Sequence, residues 1–168
     1  MSAIAVEFVS GGIVLAADGV CYDGDGDIRG FISKLIPIVE MQCVMGWTGI
    51  ADFGWALRHE MGDGFRDFDD LVDGLAETCE AVHADMMERE GIADDAPSEM
   101  RDVSVVIAGW SPRNERYEGY RLLSYAKGSL NIDTGEHSVI EPWELRPLPS
   151  IWCSHSPKKS ALSLCHLE

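Results

Sequence analysis

Apolar residues in the first fifty positions follow the two-residue period of β-strands. Residues 3–8 alternate before becoming continuously apolar, residues 10–12 (Ser-Gly-Gly) have the composition of a turn, and residues 13–17 are almost wholly apolar. This pattern predicts a hairpin whose second strand is covered on both faces. It is followed by a predicted loop rich in Gly and Asp at residues 22–30 and by two predicted strands at residues 32–39 and 42–47.

After residue 50 the apolar spacing changes to three or four residues, which is typical of helices. A first helix is predicted over residues 51–61, ending at Gly62. The acidic side chains from Asp67 onward suit the start of a second helix, because carboxylates interact favourably with the N-terminal end of the helix dipole, and Gly91 suits its end. Five residues form the apolar stripe of this longer helix: Leu71, Leu75, Cys79, Val82 and Met86.

Strand-like segments return in the last third of the chain. The predicted segments are an acidic loop at residues 92–101, strands at 103–109, 117–125 and 151–153, a hairpin at 128–139 and the first turns of a helix at 157–168. Strands, then two helices, then strands predict an α+β fold with two stacked antiparallel sheets and helices outside them. We find no long linker or repeat and assign residues 1–168 to one domain, whose boundary at residues 157–168 the pattern leaves open.

The chain is strongly acidic, which argues against some classes of partner. It carries 13 basic and 29 acidic side chains, for a net charge of −16. Such a surface repels phosphate backbones and anionic lipids, so nucleic-acid and membrane partners are not expected. No apolar run approaches the roughly 18 residues of a membrane helix, and we see no secretory leader pattern.

The cysteines and acidic loops do not form a recognisable metal site. The five cysteines are odd in number, widely spaced and without a CxxC pair, which favours reduced thiols in the cytoplasm. The five histidines show no paired metal-binding spacing. Residues 23–27 place three aspartates at the first ligand positions of an EF-hand loop. The match then fails, because Ile28 occupies the glycine position and Lys34 the position of the bidentate glutamate.

The N-terminus offers a different chemistry. Ser2 follows Met1, and so small a side chain allows methionine aminopeptidase to remove the methionine. Removal would leave a serine with both a hydroxyl and a free α-amine. Because an α-amine has a pKa of roughly 7.7–8.0, it can act near neutral pH as the base for its own hydroxyl. A serine after the initiator methionine is common, so this feature gains weight only from its surroundings.

Two charged residues lie where strands would hold them near the new terminus. Asp18 follows the second predicted strand, and Lys34 lies within the third. A lysine near the α-amine disfavours protonation of that amine, and a carboxylate orients the lysine. Taken one at a time, each residue also fits an ordinary salt bridge.

The stretch from Ser2 to about Gly54 resembles the proteasome β-subunits and the related bacterial two-component ATP-dependent peptidase. The resembling segments are Ser-Ala-Ile-Ala-Val-Glu-Phe, Gly-Ile-Val-Leu-Ala-Ala-Asp-Gly, Ser-Lys-Leu-Ile-Pro-Ile and Gly-Trp-Thr-Gly-Ile-Ala-Asp. The sequence distances from Ser2 to Asp18 and to Lys34 equal those from nucleophile to aspartate and lysine in that family, without a gap. The resemblance implies the αββα sandwich of the N-terminal-nucleophile (Ntn) hydrolases.

The resemblance also implies roles for individual residues. Ser2 takes the place of the family's N-terminal threonine as nucleophile, and Asp18 and Lys34 that of the supporting pair. Backbone N–H groups at Thr48 and Gly49 would stabilise the oxyanion. The positions that line the family's primary specificity pocket correspond to Cys21, Ile32, Ile36, Gly46 and Ile50. These are neutral and mostly apolar, which implies a preference for an apolar side chain before the cleaved bond.

The implied activity is hydrolysis of peptide bonds in peptides or proteins through a seryl acyl-enzyme, with no metal or organic cofactor. The resemblance further implies a ring-shaped homo-oligomer, while the sequence does not indicate whether an unfoldase partner serves it. Two alternatives remain open. The chain is either a catalytically silent subunit of this fold, with Met1 retained, or an amidohydrolase acting on a small amide.

The sequence departs from the family at several points. The nucleophile is serine instead of threonine, and Thr48 replaces a glycine, which a main-chain oxyanion contact tolerates. The family's further Ser/Asp set cannot be placed, because Ser154 and Ser156 lie in a different motif. After residues 151–153 the family continues with a helical pair and closing strands that this sequence lacks. We therefore expect one helical layer to be incomplete and one sheet face to be exposed.

Overall fold

The computed structural model describes residues 3–22, 27–62, 64–93, 95–130 and 137–153. Three α-helices occur in these residues, α1 (Phe53–Met61), α2 (Phe68–Glu90) and the short α3 (Ser98–Arg101), together with a 3-10 helix at Val39–Met41. The strands before α1 are β1 (Ile4–Val9), β2 (Gly12–Ala17), β3 (Val20–Tyr22), β4 (Ile28–Phe31), β5 (Leu35–Ile38) and β6 (Cys43–Gly49). Those after α3 are β7 (Val103–Ser111), β8 (Arg116–Leu123), β9 (Lys127–Leu130), β10 (His137–Ile140), β11 (Arg146–Pro147) and β12 (Ile151–Cys153).

Two antiparallel sheets carry the architecture. A five-stranded sheet has the order β11-β8-β7-β6-β5, and a three-stranded sheet has the order β12-β1-β2. Two separate hairpins, β3-β4 and β9-β10, complete the strand pairing among the described residues. The first and the last described strands meet in the three-stranded sheet, since β12 pairs with β1.

Helices α1 and α2 cover one face of the five-stranded sheet. Phe53 and Leu57 of α1, together with the apolar stripe of α2, pack in one cluster with inward residues of β5, β6 and β7. Close approach of α1 requires Gly54, because a Cβ there would lie 2.1 Å from the Trp47 ring. Helix α2 ends as the sequence predicts, at Gly91 in the left-handed conformation with φ of 62°. No helix in the described residues is long and apolar enough to cross a bilayer.

The three-stranded sheet packs against the other face of the five-stranded sheet. Ile4 and Val6 of β1 are almost fully buried and contact Val106 of β7, with Phe8 and Leu15 at the margin of this second cluster. The described residues therefore form three layers, helix on sheet on sheet. This arrangement confirms the predicted α+β class with two stacked antiparallel sheets.

The outer face of the three-stranded sheet is exposed in the described residues. Val14 of β2 is 52% exposed, Ile151 of β12 is 65% exposed, and Val9 of β1 is 45% exposed. The expectation that β2 is covered on both faces is therefore not met by the described residues. Residues 157–168, predicted as the start of a helix, lie outside the described residues, so the expectation of an incomplete helical layer stays a prediction.

Several short elements differ from the sequence-based prediction. The segment predicted as a loop at residues 22–30 contains the end of β3 and most of β4. The predicted third strand begins three residues later than expected, so Lys34 lies just before β5 and not within it. The predicted loop at residues 92–101 contains α3, and β11 was not predicted. β4, α3 and β11 have two to four residues each, too few for a repeating apolar period to predict them.

Candidate active site

One carboxylate connects the start of the described chain with a buried lysine. Asp18, directly after β2, accepts the backbone N–H of Ala3 through Oδ2 at 2.9 Å. Its other oxygen, Oδ1, accepts the Lys34 ammonium, also at 2.9 Å. Asp18 also donates its own N–H to the carbonyl of Ala3 at 3.1 Å, so these two residues are bound through both backbone and side chain.

Strand register brings Ala3 and Asp18 together. In the β1-β2 hairpin Ile4 lies opposite Ala17, so the residues one step beyond this pair face each other. The tight turn at Ser10 and Gly11 fixes this register, because Gly11 has a φ of 87°, which suits glycine. Ser2, the predicted nucleophile, immediately precedes this anchored position and lies outside the described residues.

Lys34 is held in a buried position by two acceptors. The residue is 5% exposed, and its Nζ donates to the Val20 carbonyl at 2.7 Å as well as to Asp18. The Asp18 side chain is 34% exposed and faces solvent on one side. Both acceptors hold the buried ammonium in place, since removing either one would leave it poorly compensated.

The turn after β6 is braced next to this pair. The Trp47 N–H donates to the Lys34 carbonyl at 3.3 Å, and the Trp47 indole donates to the Ala51 carbonyl at 3.0 Å. Gly49 has a φ of 98°, and a Cβ there would lie 1.9 Å from the Asp102 carbonyl oxygen. The segment with the predicted oxyanion donors, Thr48 and Gly49, is thus fixed by a buried aromatic ring and by a position that only glycine fits.

The structure brings together some of the predicted pocket residues. Ile36 is a buried member of the core cluster beneath the helices, and Ile32 and Ile50 pack against that cluster.

Gly46 faces the opposite side of the five-stranded sheet, because a Cβ there would contact Ile4 and Leu35. Cys21 is half-buried on β3, opposite Gly30. Assignment of these five residues to one specificity pocket stays a prediction.

Two groups of the site were missed by sequence reasoning. They are the N–H of Ala3, which donates to Asp18, and the carbonyl of Val20, which accepts from Lys34. Both are main-chain groups, and main-chain groups carry no residue-type signal. Only the register of the hairpin and the path of the chain into β3 could have revealed them.

The other candidates from the sequence give no second site. Among the described residues, no three His, Cys, Asp or Glu side chains converge as metal ligands do. Asp23, Asp25, Ser154 and Ser156 lie outside the described residues. His83 has a structural environment, since its Nε2 is 2.7 Å from the Arg101 carbonyl and its ring packs edge-on against Trp143.

Comparison with known proteins gives structural matches only. No protein-family model and no curated protein matches the chain. Among solved structures, Anbu (ancestral beta-subunit) from Yersinia bercovieri matches with a TM-score of 0.57 and 11% identity, over 100% of this chain and 66% of that chain. Thiobacillus denitrificans BPH matches with a TM-score of 0.51 and 18% identity, over 96% of this chain and 75% of that chain.

The same BPH in complex with epoxomicin matches at 19% identity and a TM-score of 0.51. This chain thus spans just under two thirds of the length of Anbu and three quarters of BPH. At identities this low, the likeness concerns the path of the backbone. It agrees with the family resemblance in the Ser2–Gly54 segment and extends over nearly the whole chain. The chain therefore has the fold of the proteasome-like Ntn hydrolases.

Proposed function

We propose that this chain is an Ntn peptidase in which Ser2, exposed by removal of Met1, attacks the peptide bond. The observation that carries this proposal is the Asp18 carboxylate, which binds the Ala3 N–H and the Lys34 ammonium at 2.9 Å each. The Asp18 carboxylate thereby binds both Ala3, which follows the proposed nucleophile, and the buried Lys34 cation. The proteasome-like fold supplies the context in which this arrangement serves hydrolysis.

In the proposed reaction the Ser2 hydroxyl oxygen attacks the carbonyl carbon, and the α-amine takes the hydroxyl proton, directly or through water. The positive charge of Lys34 disfavours protonation of that amine, so the amine stays available as a base. Backbone N–H groups at Thr48 and Gly49 stabilise the oxyanion. The tetrahedral intermediate collapses, the α-ammonium protonates the leaving amine, and water then hydrolyses the seryl ester.

The proposed substrates are peptides or proteins with an apolar side chain before the cleaved bond. Three isoleucines of the predicted pocket, at positions 32, 36 and 50, belong to or border one apolar cluster, which supports this preference. A ring-shaped homo-oligomer in the cytoplasm belongs to the same proposal and rests on the family resemblance. The proposal does not name an unfoldase partner.

The first test is the mass of the intact purified protein. We expect the N-terminus to be Ser2, because a retained Met1 would convert the proposed base into an amide nitrogen. Folded protein that keeps Met1 in full would rule out catalysis by this mechanism. It would favour the alternative, a silent subunit in which Asp18 and Lys34 form a plain ion pair.

The second test compares variants in the cleavage of fluorogenic peptides with an apolar residue before the scissile bond. Ser2→Ala and Lys34→Ala should lower kcat/KM by about a thousandfold or more, since the first removes the nucleophile and the second the charge beside its base. Ser33→Ala and Lys127→Ala are matched controls, because both residues are exposed. Circular dichroism establishes that each variant folds.

An acylating inhibitor gives a readout independent of turnover. Wild-type protein should gain one adduct on the peptide that begins with Ser2, and Ser2→Ala should gain none. Labelling that survives in both Ser2→Ala and Lys34→Ala would place the nucleophile elsewhere. Hydrolysis of small amides without cleavage of peptides would select the amidohydrolase alternative.

A further inference from the structure

Two arginines lie side by side at the edge of the five-stranded sheet. Arg121 of β8 and Arg146 of β11 are direct register partners on neighbouring antiparallel strands. Side chains of such partners leave the same face of the sheet with Cβ atoms about 4.5–5.5 Å apart, and like charges in this position are destabilising. The pairing is unexpected in a chain with only 13 basic side chains and 29 acidic ones.

Arg121 has a half-buried guanidinium without a polar partner. Its terminal carbon lies 5.7 Å from the centre of the Trp152 ring, within cation–π distance. It makes no hydrogen bond or ion pair with any residue that the structure describes. Burial, and after it the charge of Arg146, lowers the pKa of Arg121. The protein therefore holds this cation at an unfavourable place.

Arg146 is only partly compensated. One of its terminal nitrogens forms an ion pair with Glu144 at 2.7 Å. Its Nε is fully buried and has no hydrogen-bond partner within the described part of the chain. Glu144 therefore pairs with Arg146 alone, and among the described residues N–H donors of both guanidinium groups lack an acceptor.

Tyr125 lies just after β8 and adds a hydroxyl that interacts electrostatically with Arg121. Burial raises the pKa of Tyr125, the charge of Asp102 raises it further, and the charge of Arg121 lowers it. The net effect is an increase, so the phenol is neutral at physiological pH. Its hydroxyl has no hydrogen-bond partner in the described ranges. Glu144, which pairs with Arg146, and Asp102, which interacts electrostatically with Tyr125, both have partners.

We propose that Arg121, Arg146 and Tyr125 form a binding site for an oxyanion, either a carboxylate or a phosphate group. The planar guanidinium fork matches two oxygens of such a group, and the phenol supplies a further donor. A bound oxyanion would neutralise the apposed charges and give the buried Nε an acceptor. The site lies on the β8–β11 edge and uses none of the residues of the proposed peptidase site, so each proposal can fail without the other.

The test is thermal unfolding and calorimetric titration of the full-length chain with inorganic phosphate and, separately, acetate. Sodium chloride keeps the ionic strength constant in both series. We expect the Tm to rise with at least one of these ions, because a ligand that binds only the folded state stabilises it as its concentration exceeds Kd. A response to phosphate alone assigns the site to phosphate groups, and a response to acetate alone assigns it to carboxylates.

Variants connect the response to the site. Arg121→Gln and Arg146→Gln should each weaken binding by about tenfold or more, since each loses a charge-assisted hydrogen bond, and Tyr125→Phe should weaken it less. Arg66→Gln is the charge-matched control, because Arg66 lies on the surface and pairs with Asp70. Arg121→Lys keeps the charge and serves if the glutamine variant does not fold. An equal response in wild type and both arginine variants, or no response to either ion, overturns the proposal.

Discussion

Lys34 and Asp18 depend on each other for the geometry of the candidate site. The ammonium is buried, and the carboxylate that compensates it also binds the N–H of Ala3. Removing one partner of a buried ion pair lowers the free energy of unfolding by about 3–5 kcal/mol. Because Asp18 is partly exposed, we expect a neutral substitution of Asp18 to cost about 3 kcal/mol or less. The same contacts that hold the site therefore contribute to the stability of the hairpin.

Gly49 should be intolerant of any side chain. Its φ of 98° and the 1.9 Å distance from an added Cβ to the Asp102 oxygen predict that Gly49→Ala destabilises the fold by more than about 2 kcal/mol. Gly12→Ala is the matched control, because a Cβ on that strand residue meets no atom within 4 Å. Urea unfolding measures both. Equal midpoints for Gly49→Ala and Gly12→Ala would contradict the described conformation of this turn.

The described cysteines should separate into two classes of reactivity. Burial raises the pKa of Cys43 to about 12, and the charge of Glu40 adds to this effect while that of Arg58 opposes it. Burial alone raises the pKa of Cys79. Near pH 8 these thiols are protonated and shielded, so iodoacetamide should modify neither in the native protein.

Cys21 is half-buried and Cys153 is exposed, so these two should react in the native state. Peptide mass spectrometry before and after unfolding in guanidinium chloride measures the difference. Native labelling of Cys79 at the rate of Cys153 would contradict its place on the buried face of α2.

At the scale of elements, side chains fasten the longest helix to the five-stranded sheet. Asp67 caps α2 by accepting the Asp70 N–H at 2.9 Å, which is typical of a helix start. The buried Asp69 accepts the Ser111 hydroxyl and the Arg113 N–H, each at 2.7 Å. The turn between β7 and β8 is thereby held on the first turn of the helix.

Glu118 on β8 should make stability depend on pH in the acid range. Burial raises the pKa of this carboxyl, but hydrogen bonds from Tyr120, Arg116 and Asn114 outweigh it and leave the pKa below its usual value. A carboxyl with a depressed pKa in the folded state stabilises the fold above its unfolded pKa of about 4.3, and this contribution is lost as pH falls through the folded value.

Glu118→Gln should therefore reduce the free energy of unfolding at pH 7 and flatten its decline below about pH 4.3. Urea titrations at several pH values measure this change, with the exposed Glu77→Gln as the control. Parallel acid limbs for wild type and Glu118→Gln would show that the hydrogen bonds to this carboxylate contribute nothing.

At the scale of the whole molecule, the described layers leave one sheet face open. The outer face of β12-β1-β2 presents Val9, Val14 and Ile151 to solvent. Exposed apolar side chains on one sheet face commonly mark a site of association, although Glu7 lies between Val14 and Ile151 here. The face lies on the side of the three-stranded sheet away from the helices, where the Ntn fold has its second helical layer.

We expect the purified chain to be a homo-oligomer, as its resemblance to ring-forming peptidases implies. Native mass spectrometry and light scattering over a dilution series measure the state directly. A monomer at every concentration that is accessible would contradict the proposed ring. It would leave the assignment of the fold unchanged.

The sequence by itself determined the long elements and the pairing of the key charges. Strands β1 and β2 and helices α1 and α2 lie within about two residues of their predicted bounds, because several turns or alternations of apolar residues repeat one period. The family resemblance of the sequence implied that Asp18 and Lys34 act as a pair, and the structure places their charged atoms 2.9 Å apart. Their role in catalysis stays a prediction, since Ser2 lies outside the described residues.

Only the tertiary structure decided the short elements and the backbone contacts. The hairpin β3-β4, helix α3 and strand β11 are too short for a period, and they exist because neighbouring segments satisfy their backbone groups. The Ala3 N–H, the Val20 carbonyl and the apposition of Arg121 with Arg146 depend on strand register, which no local pattern encodes. Sequence periodicity specifies which face of an element is buried, and register between distant strands then determines which atoms meet.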